Sequence, residues 1–322
     1  MKHTKHIFHS SEINAKGKKR KKEENMEFNT KSAFVALVGR PNTGKSTLLN
    51  AIMGEKIAIV SHKPQTTRNN IRGIYTNDNY QIVFTDTPGI HKPKNVLSQE
   101  MVAAAEATAS ECDVCVLVCD SKFPGDTEKE IIKKLQKASM PCILAINKID
   151  RIEKEKLLPI IDAYSKLYDF DEIIPISALR KNGVEILKRA LEKHLVDGPF
   201  YYPEYMKSDN SEATYFCEIV REKILRQLNE EVPHGVALEP IVFEDGKTLT
   251  ECTINIYCER ESHKKIIIGK NGETLKRIGT YAREELEKKY QKKVFLQLWV
   301  KVRPDWRNNI NKIRSFGLAD IN

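Results

Sequence analysis

Apolar residues occur along this chain in short runs that alternate with amphipathic stretches. Five runs of six to eight residues are rich in Val and Ile, which is typical of strands buried on both faces of a sheet. They occupy residues 33–39, 80–86, 113–120, 141–148 and 172–177. Four stretches between or after these runs have the spacing of apolar residues that is typical of helices, and they begin at Lys45, Leu97, Thr127 and Gly183. The alternation predicts an α/β domain with a mostly parallel, doubly wound sheet.

The fourth helical stretch, residues 183–195, has a well-defined apolar side. Val184, Leu187, Leu191 and Leu195 are predicted to share one face of a helix that packs on the sheet.

A different pattern follows residues 197–212, which are rich in Pro, Gly and aromatic residues and are interpreted as a linker. The pattern after the linker predicts a helix (213–231), a hairpin of two strands (236–245 and 249–259), a second helix (273–290) and a last strand (294–302). The predicted division is a basic extension (1–31), an α/β domain (32–198), a linker (199–212) and an α+β domain (213–322).

The bulk composition is consistent with two domains. The chain has 322 residues, of which 40% are hydrophobic, so each domain can bury its own core. No run approaches the length of a membrane span, and the first thirty residues lack the apolar segment of a signal peptide. A cytoplasmic protein is therefore predicted. Its seven cysteines are expected to be thiols.

Basic charge is concentrated in two regions. Residues 1–31 carry nine basic residues (Lys or Arg) and four acidic residues (Asp or Glu), and residues 263–303 carry twelve basic and four acidic residues. Residues 32–212, by contrast, carry 24 basic and 24 acidic residues. The extension, which shows no apolar periodicity, is predicted to be disordered, and Met26 is a candidate native start. The second region is typical of a surface that binds a polyanion, either nucleic acid or a membrane.

Residues 39–46, GRPNTGKS, match the phosphate-loop pattern between a predicted strand and a predicted helix. Such a loop directs backbone N–H groups and a helix N-terminus at phosphates. Lys45 is assigned to the β/γ-phosphate oxygens and to catalysis, and Ser46 to Mg²⁺. The candidate nucleotide-binding residues of this loop are Gly39, Arg40, Pro41, Asn42, Thr43, Gly44, Lys45, Ser46 and Thr47.

DTPG, residues 86–89, ends the next predicted strand. Asp86 is assigned to the metal through a water molecule, and the N–H of Gly89 to the γ-phosphate, where it would act in catalysis. Thr87 and Pro88 complete this group of candidate nucleotide-binding residues.

Two motifs predict the base. NKID (147–150) ends the fourth predicted strand, and the Asp150 carboxylate accepts from both N1–H and the 2-amino group of guanine, donors that adenine lacks. SAL (177–179) follows the fifth strand, where the Ala178 N–H can reach O6. GTP or GDP is therefore the predicted ligand, bound by Asn147, Lys148, Asp150, Ser177, Ala178 and Leu179.

A second glycine loop, GKNG at residues 269–272, follows an apolar run and precedes a Lys- and Arg-rich helix. Such a loop clamps a sugar-phosphate backbone in the KH domain, with about four unstacked bases in the adjacent groove. Of the three isoleucines 266–268, at most one is expected to line the groove. The candidate RNA contacts are Ile268, Gly269, Lys270, Asn271, Gly272, Lys276 and Arg277.

Together these motifs resemble the Era family of bacterial GTPases, of the TrmE-Era-EngA-like group in the translation-factor class. Segments 64–68, 231–239 and 299–306 carry further likeness, which covers about residues 32–318. The resemblance implies a P-loop GTPase domain followed by a type II KH domain. It also implies Mg²⁺, binding of 16S ribosomal RNA near its 3′ end, a role in maturation of the 30S ribosomal subunit, and a monomer.

The same resemblance assigns roles in the switch regions. In that class a threonine of the first switch binds Mg²⁺; Thr67 is assigned, for catalysis as well, and its neighbour Thr66 is the alternative. Ile90 stands where Ras-like GTPases carry a glutamine that orients water, so slow intrinsic turnover is expected. Asn42 stands where relatives that use K⁺ place a cation ligand, so K⁺ stimulation is a further expectation.

Other interpretations of the sequence were weighed. A signalling GTPase linked to cell cycle or growth control would use the basic regions at the inner face of the cell membrane. A metabolic kinase would share the phosphate loop, but NKID and SAL disfavour it. Trp299, within an apolar strand, is assigned to the core rather than to base stacking. Cys112 and Cys115, three apart, are expected on opposite faces of a strand.

Overall fold

The structure, a computed structural model, describes residues 29–318. Two domains are joined by residues 198–211, which contain neither helix nor strand. Residues 1–28 of the predicted extension, including Met26, lie outside the described residues, as do residues 319–322.

The first domain alternates strands and helices around one sheet. Its elements are β1 (Lys31–Val38), α1 (Lys45–Met53), β2 (Ile71–Thr76), β3 (Tyr80–Asp86), α2 (Val96–Glu111), β4 (Val114–Asp120), α3 (Asp126–Ala138), β5 (Cys142–Asn147), α4 (Leu157–Ser165), β6 (Glu172–Pro175), α5 (Val184–Leu191) and β7 (Val196–Asp197). The strand order is β2-β3-β1-β4-β5-β6, and β7 pairs with β1. Only β2 and β7 are antiparallel to their neighbours, so the predicted α/β class is confirmed.

Four local features of this domain differ from the predictions. β2 and α4 were not predicted, because Arg72 and Gly73 interrupt the apolar run of β2 and Pro159 lies in the first turn of α4. Leu195 does not continue the face of α5, since its backbone is extended (φ −72°, ψ 133°), although its side chain still packs on the same core. Cys112 precedes β4, so strand alternation does not apply to it.

The second domain packs most of its helices on one face of a three-stranded sheet. Its elements are α6 (Glu212–Gln227), β8 (Ala237–Asp245), β9 (Leu249–Cys258), α7 (Glu261–Ile268), α8 (Glu273–Tyr290), β10 (Lys293–Val302) and α9 (Ile310–Ser315). The strand order is β10-β9-β8; β8 is antiparallel and β10 parallel to β9. The predicted helix, hairpin, helix and strand are all present.

The assignment of Trp299 to the core is wrong, because 53% of this residue is exposed. Trp299 lies on β10, an edge strand whose even-numbered residues face the helices and whose odd-numbered residues face away. The buried tryptophan is Trp306, whose Nε1–H donates to the carbonyl oxygen of Gly235 (3.0 Å).

Buried side chains of the two domains pack against each other. Ile59, in the loop after α1, belongs to the core of the second domain. Leu97 and Met101 of α2 pack with Trp306 and Ile313. The segments that follow the phosphate loop and DTPG therefore both contact the second domain.

Candidate nucleotide site and nucleic-acid groove

The phosphate loop requires glycine at two positions. Gly39 has φ +147° and Gly44 has φ +101°, and a Cβ at either would lie 2.3 Å from a protein atom, the carbonyl oxygen of Val118 or Nδ2 of Asn147. Gly44 is also the residue that caps α1. The loop thus runs directly into a helix N-terminus, which favours bound phosphate.

Lys45 is buried under this loop. Its Nζ donates to the carbonyl oxygens of Gly39 (3.1 Å) and Arg40 (3.0 Å). Burial lowers the pKa of Lys45 to about 8, and the nearby Asp86 carboxylate opposes that shift. A positive charge is therefore held at the loop where negatively charged phosphate oxygens would bind.

Three oxygen-bearing side chains meet beside Lys45. Ser46 Oγ lies 2.6 Å from Asp86 Oδ2 and 2.9 Å from Thr67 Oγ1, and Thr67 Oγ1 donates to Asp86 Oδ2 at 3.1 Å. Among residues 29–318, Asp86 Oδ1 is buried without a hydrogen-bond partner, and burial raises the pKa of Asp86. Hydroxyl and carboxylate oxygens are the ligands that Mg²⁺ prefers, so these residues fit the predicted metal.

Thr66 points elsewhere. Its Oγ1 donates to the carbonyl oxygen of Lys63 (2.7 Å), and its own carbonyl oxygen accepts from Arg221. Of the two adjacent threonines, Thr67 is thus the one beside Ser46 and Asp86.

The base-recognition motifs form one hydrogen-bonded corner. Asn147 Nδ2 donates to the carbonyl oxygen of Thr43 (2.8 Å), and its Oδ1 accepts from the N–H of Ala178 (3.0 Å). Ser177 Oγ donates to Asp150 Oδ1 (2.5 Å), and this hydrogen bond is the main cause that lowers the pKa of Asp150. The Asp150 carboxylate therefore stays ionised and acceptor-only.

These groups surround a cavity of 370 Å³. The predicted residues that line it are Pro41, Asn42, Gly44, Lys45, Ser46, Thr47, Thr67, Gly89, Asn147, Lys148, Asp150 and Leu179. It is also lined by Thr66, the alternative metal ligand, and by residues that were not assigned to the nucleotide, namely Ile59, Val60, Ser61, His62, Gln65 and Arg151.

The other predicted nucleotide residues do not line this cavity: Gly39, Arg40, Thr43, Asp86, Thr87, Pro88, Ser177 and Ala178. Arg40 forms a salt bridge with the buried Glu128, and Thr87 Oγ1 donates to the carbonyl oxygen of Leu37 (2.8 Å). The side chains of Arg40 and Thr87 thus hold the phosphate loop and DTPG from outside the cavity.

A contact between the two switch segments was not predicted. His91 Nδ1 lies 2.7 Å from the carbonyl oxygen of Gly89, and His91 Nε2 lies 3.1 Å from Nε2 of Gln65. Because a carbonyl only accepts, these contacts assign the proton to Nδ1 and leave Nε2 as the acceptor. Gln65 has a positive φ of 56°, whereas Ile90, between Gly89 and His91, is half-buried against the core.

The second glycine loop joins two helices of the second domain. α7 ends at Gly269 (φ +76°), and Gly272 (φ +79°) caps α8. Lys270 and Asn271 between them are exposed. Because α7 is helical, its three isoleucines point in different directions: Ile266 is exposed, Ile267 is buried and Ile268 packs against the core.

An open groove of 580 Å³ runs between α8 and β10. Its lining is Gly272, Leu275, Lys276, Gly279, Thr280, Arg283, Val294, Phe295, Leu296 and Leu298. Of the predicted RNA contacts, only Gly272 and Lys276 line this groove; Ile268, Gly269, Lys270, Asn271 and Arg277 do not. The helical spacing of residues 272, 276, 279 and 283 is a signal that could have identified this face.

No helix within residues 29–318 is long and apolar enough to cross a bilayer.

Comparison with known proteins assigns a family to each domain. A family model described as 50S ribosome-binding GTPase matches residues 34–148, and a KH domain model matches residues 231–307. GTPase Era of Ruminiclostridium cellulolyticum is 51% identical over 292 residues, 89% of this chain and 97% of its own. GTPase Era of Clostridium botulinum strain Hall is 50% identical over 293 residues, 90% of this chain and 99% of its own.

Two solved structures are similar to the whole described fold. Era in complex with MgGDPNP and nucleotides 1506–1542 of 16S ribosomal RNA has a TM-score of 0.87 and 39% identity, covering 90% of this chain and 99% of that one. A single-residue variant of Aquifex aeolicus Era bound to GDP and AlF₄⁻ also has a TM-score of 0.87 and 39% identity, covering 90% of this chain and 100% of that one.

Proposed function

This chain belongs to the Era family of GTPases, and from that premise we propose that it is a GTP-hydrolysing switch whose KH domain binds 16S ribosomal RNA near its 3′ end during assembly of the 30S subunit. One observation carries the proposal: the segment that faces the nucleotide cavity with Thr67 is buried against the KH domain through Ile59 and Arg68. The protein is also proposed to act in the cytoplasm. We propose that it acts as a monomer, since one chain holds both sites.

Hydrolysis would depend on a few preorganised groups. The loop N–H groups and Lys45 would bind the β- and γ-phosphates, and the N–H of Gly89 would meet the γ-phosphate. Ser46 and Thr67 would hold Mg²⁺ directly and Asp86 through water. When bound, the ion supplies positive charge where the transition state is negative. Ile90 offers no polar group to orient water, so slow intrinsic turnover is proposed.

Monovalent cations offer a route to faster turnover. Asn42 lies at the rim of the cavity, and its Nδ2 donates to the carbonyl oxygen of His62 (2.8 Å). We propose that K⁺ binds beside Asn42 and stimulates hydrolysis. Turnover in K⁺ should exceed turnover in Na⁺ at equal ionic strength, and Asn42→Ala should remove the difference. Equal rates in the native protein would exclude this role.

Guanine selection would come from Asp150 and Ala178. The ionised Asp150 carboxylate would accept from the base N1–H and 2-amino group, and the Ala178 N–H would donate to O6. Asn147 bridges the phosphate loop and the SAL turn, so both contacts would be positioned together.

The bound nucleotide would change RNA binding through the first switch, the segment that contains Thr66 and Thr67. Arg68, next to Thr67, is buried and donates to the carbonyl oxygens of Val236 and His234, and Arg221 of α6 donates to that of Thr66. A shift of Thr67 on binding or losing the γ-phosphate would therefore change how α6 and the KH sheet dock.

RNA affinity tests the proposal. The probe is a short RNA copying the 3′ tail of 16S ribosomal RNA, measured with a GTP analogue and with GDP. Binding should depend on the nucleotide and fall in the double variant Lys270→Asp/Asn271→Asp, because both exposed loop residues would then repel phosphate. Lys247→Asp, in the exposed β8–β9 turn, is the control; it changes the net charge by −2, against −3 for the double variant, and should bind as the native protein does.

The same measurement separates the membrane alternative. Anionic vesicles should not retain the protein at physiological salt in the presence of competing RNA. Retention that RNA does not displace, together with normal RNA binding by the double variant, would favour a membrane-surface GTPase instead.

A further inference from the structure

The contact between Gln65 and His91 joins the two switch segments at the nucleotide cavity. Gln65 lines this cavity together with Thr67 and Gly89, whereas His91 is not part of the lining. Gln65 has a left-handed backbone (φ 56°), which residues other than glycine adopt rarely and at a cost. Such strained residues cluster at active sites and ligand sites. Gln65 therefore has a position typical of a functional residue, although the function proposed so far gives it no role.

A series of hydrogen bonds fixes the orientation of the Gln65 side-chain amide. The carbonyl oxygen of Gly89 can only accept, so the His91 ring carries its proton on Nδ1 and donates it there (2.7 Å). The unprotonated Nε2 of His91 then accepts from Nε2 of Gln65 (3.1 Å). The nitrogen of the Gln65 amide is thus turned toward His91, and the amide oxygen, Oε1, points away from it.

The Oε1 atom of Gln65 is available as an acceptor. Within residues 29–318 no group donates a hydrogen bond to it, and the atom is not buried. An amide oxygen has two lone pairs that can each accept. The same lining contains Gly89, whose N–H is assigned to the γ-phosphate. A water molecule that donates to Oε1 would therefore lie on the γ-phosphate side of the cavity.

We propose that Gln65 orients the attacking water in GTP hydrolysis and that His91 is the positioning residue that holds its amide. Oε1 would accept a hydrogen bond from the water, whose oxygen would then face the γ-phosphorus. That oxygen bonds to phosphorus as the bond to the β–γ bridging oxygen breaks. GDP leaves, and the water proton passes to an oxygen of the released phosphate. This inference rests on the proposed function, since it adds two residues to the same reaction.

The proposed role agrees with slow intrinsic turnover. A neutral amide orients water but adds no positive charge to the transition state, and such charge is what accelerates GTPases most. Gln65 would supply from the first switch what Ile90, half-buried against the core, does not supply from the second. Because Gln65 is two residues before Thr67, placing Thr67 at the metal would also bring Gln65 to the water.

Methionine at position 65 tests the amide, because its side chain has a similar length and no oxygen. Gln65→Met should lower kcat for GTP by about tenfold, as expected for loss of one hydrogen bond between neutral groups. The affinities for GDP and for a non-hydrolysable GTP analogue should not change. Single-turnover hydrolysis and competition binding measure these quantities. Gln99→Met, the same change at an exposed position of α2, is the matched control and should keep the native kcat.

Binding of GDP together with AlF₄⁻ gives a readout that a merely structural role would not move. This pair resembles the transferred phosphate in the transition state, whereas GDP alone does not. AlF₄⁻ should raise the GDP affinity of Gln65→Met about tenfold less than that of the native protein, with equal affinities for GDP alone. A loss of affinity for GDP alone by the same factor would mean that Gln65 only supports the fold of the switch.

A comparison of single and double variants tests His91. His91→Phe keeps a ring but cannot accept from Gln65, so the amide can turn and kcat should fall by about threefold. The double variant Gln65→Met/His91→Phe should lose no more than Gln65→Met alone, because His91 acts only through Gln65. Losses that multiply in the double variant would overturn the positioning role of His91.

The failure of this inference can be told apart from failure of the proposed function. Native kcat in Gln65→Met, or equal losses in kcat and in affinity for the GTP analogue, would overturn Gln65 as the residue that orients water. The proposed function would stand in both cases, because the native protein would still hydrolyse GTP. If the native protein did not hydrolyse GTP, the proposed function would fail and this inference with it.

Discussion

The two glycine loops of this protein differ in how closely the fold surrounds them. A Cβ at Gly44 of the phosphate loop would lie 2.3 Å from Asn147, whereas a Cβ at Gly272 of the KH loop would meet none of the described residues within 4 Å. Lys45 is buried and Lys270 is exposed. An enclosed loop suits a compact, highly charged ligand, and an open loop suits a polymer that must pass through. Glycine permits close approach of phosphate in both, but the surrounding packing decides which ligand fits.

The largest effect should come from removing the charge inside the enclosed loop. Lys45→Ala should lower kcat/KM for GTP by about 100- to 1000-fold, because a preorganised charge next to the transferred phosphate is lost. Steady-state GTP hydrolysis measures it. Lys270→Ala, the same change in the open loop, should leave hydrolysis unchanged; equal losses would contradict the separation of the two sites.

Asp150→Asn tests the base corner of the enclosed site. The amide can no longer accept from both guanine donors, so GTP affinity should fall by about 100-fold. Xanthine carries a carbonyl at position 2, to which the new amide can donate. XTP should therefore bind the variant more tightly than it binds the native protein. Competition binding with GTP and XTP measures both. An unchanged preference for GTP would remove Asp150 from base recognition.

Alanine at each glycine of the open loop should sharpen the comparison. A Cβ at Gly269 would lie 2.2 Å from Thr274 Oγ1, whereas Gly272 is strained only by its positive φ. Gly269→Ala should therefore weaken RNA binding by about tenfold, and Gly272→Ala by less. Filter binding of the 16S tail RNA measures both losses. Equal losses would mean that backbone strain, not crowding by Thr274, dominates.

The pH dependence of GTP binding should report on the buried lysine. The lowered pKa of about 8 means that the free protein loses the Lys45 charge above that value. GTP affinity should be nearly flat below pH 7 and fall by about tenfold from pH 7 to 9. Lys45→Arg, which remains charged, is the control and should give a flat profile. RNA binding by the open loop should not share this transition.

The smallest effect concerns communication between the two loops. Arg68→Lys keeps the charge but loses the forked contact with the carbonyl oxygens of Val236 and His234. The ratio of RNA affinities with GTP analogue and GDP should shrink by about fivefold, while the affinity with GDP stays the same. An unchanged ratio would place the coupling elsewhere, for example at the packing of α2 on Trp306.

Much of the nucleotide site could be predicted because its chemistry is local in sequence. Each motif is a few residues long and follows a strand, so parallel strands bring Lys45, Asp86 and Asp150 to one edge of the sheet. The sequence could not decide which of Thr66 and Thr67 lies at the metal site. Both are buried, and only the contacts with Lys63 on one side and Ser46 on the other distinguish them.

By itself, the sequence determined the order of most elements, the two domains, the motif residues and the guanine preference, because periodicity and short loops encode these locally. The tertiary structure decided which residues line the KH groove, the exposure of Trp299 and the contact between the first switch and the KH domain. These depend on which strand lies at the edge and on residues far apart in the chain, such as Arg68 and Val236. An apolar strand sequence does not encode how many of its faces other elements will cover.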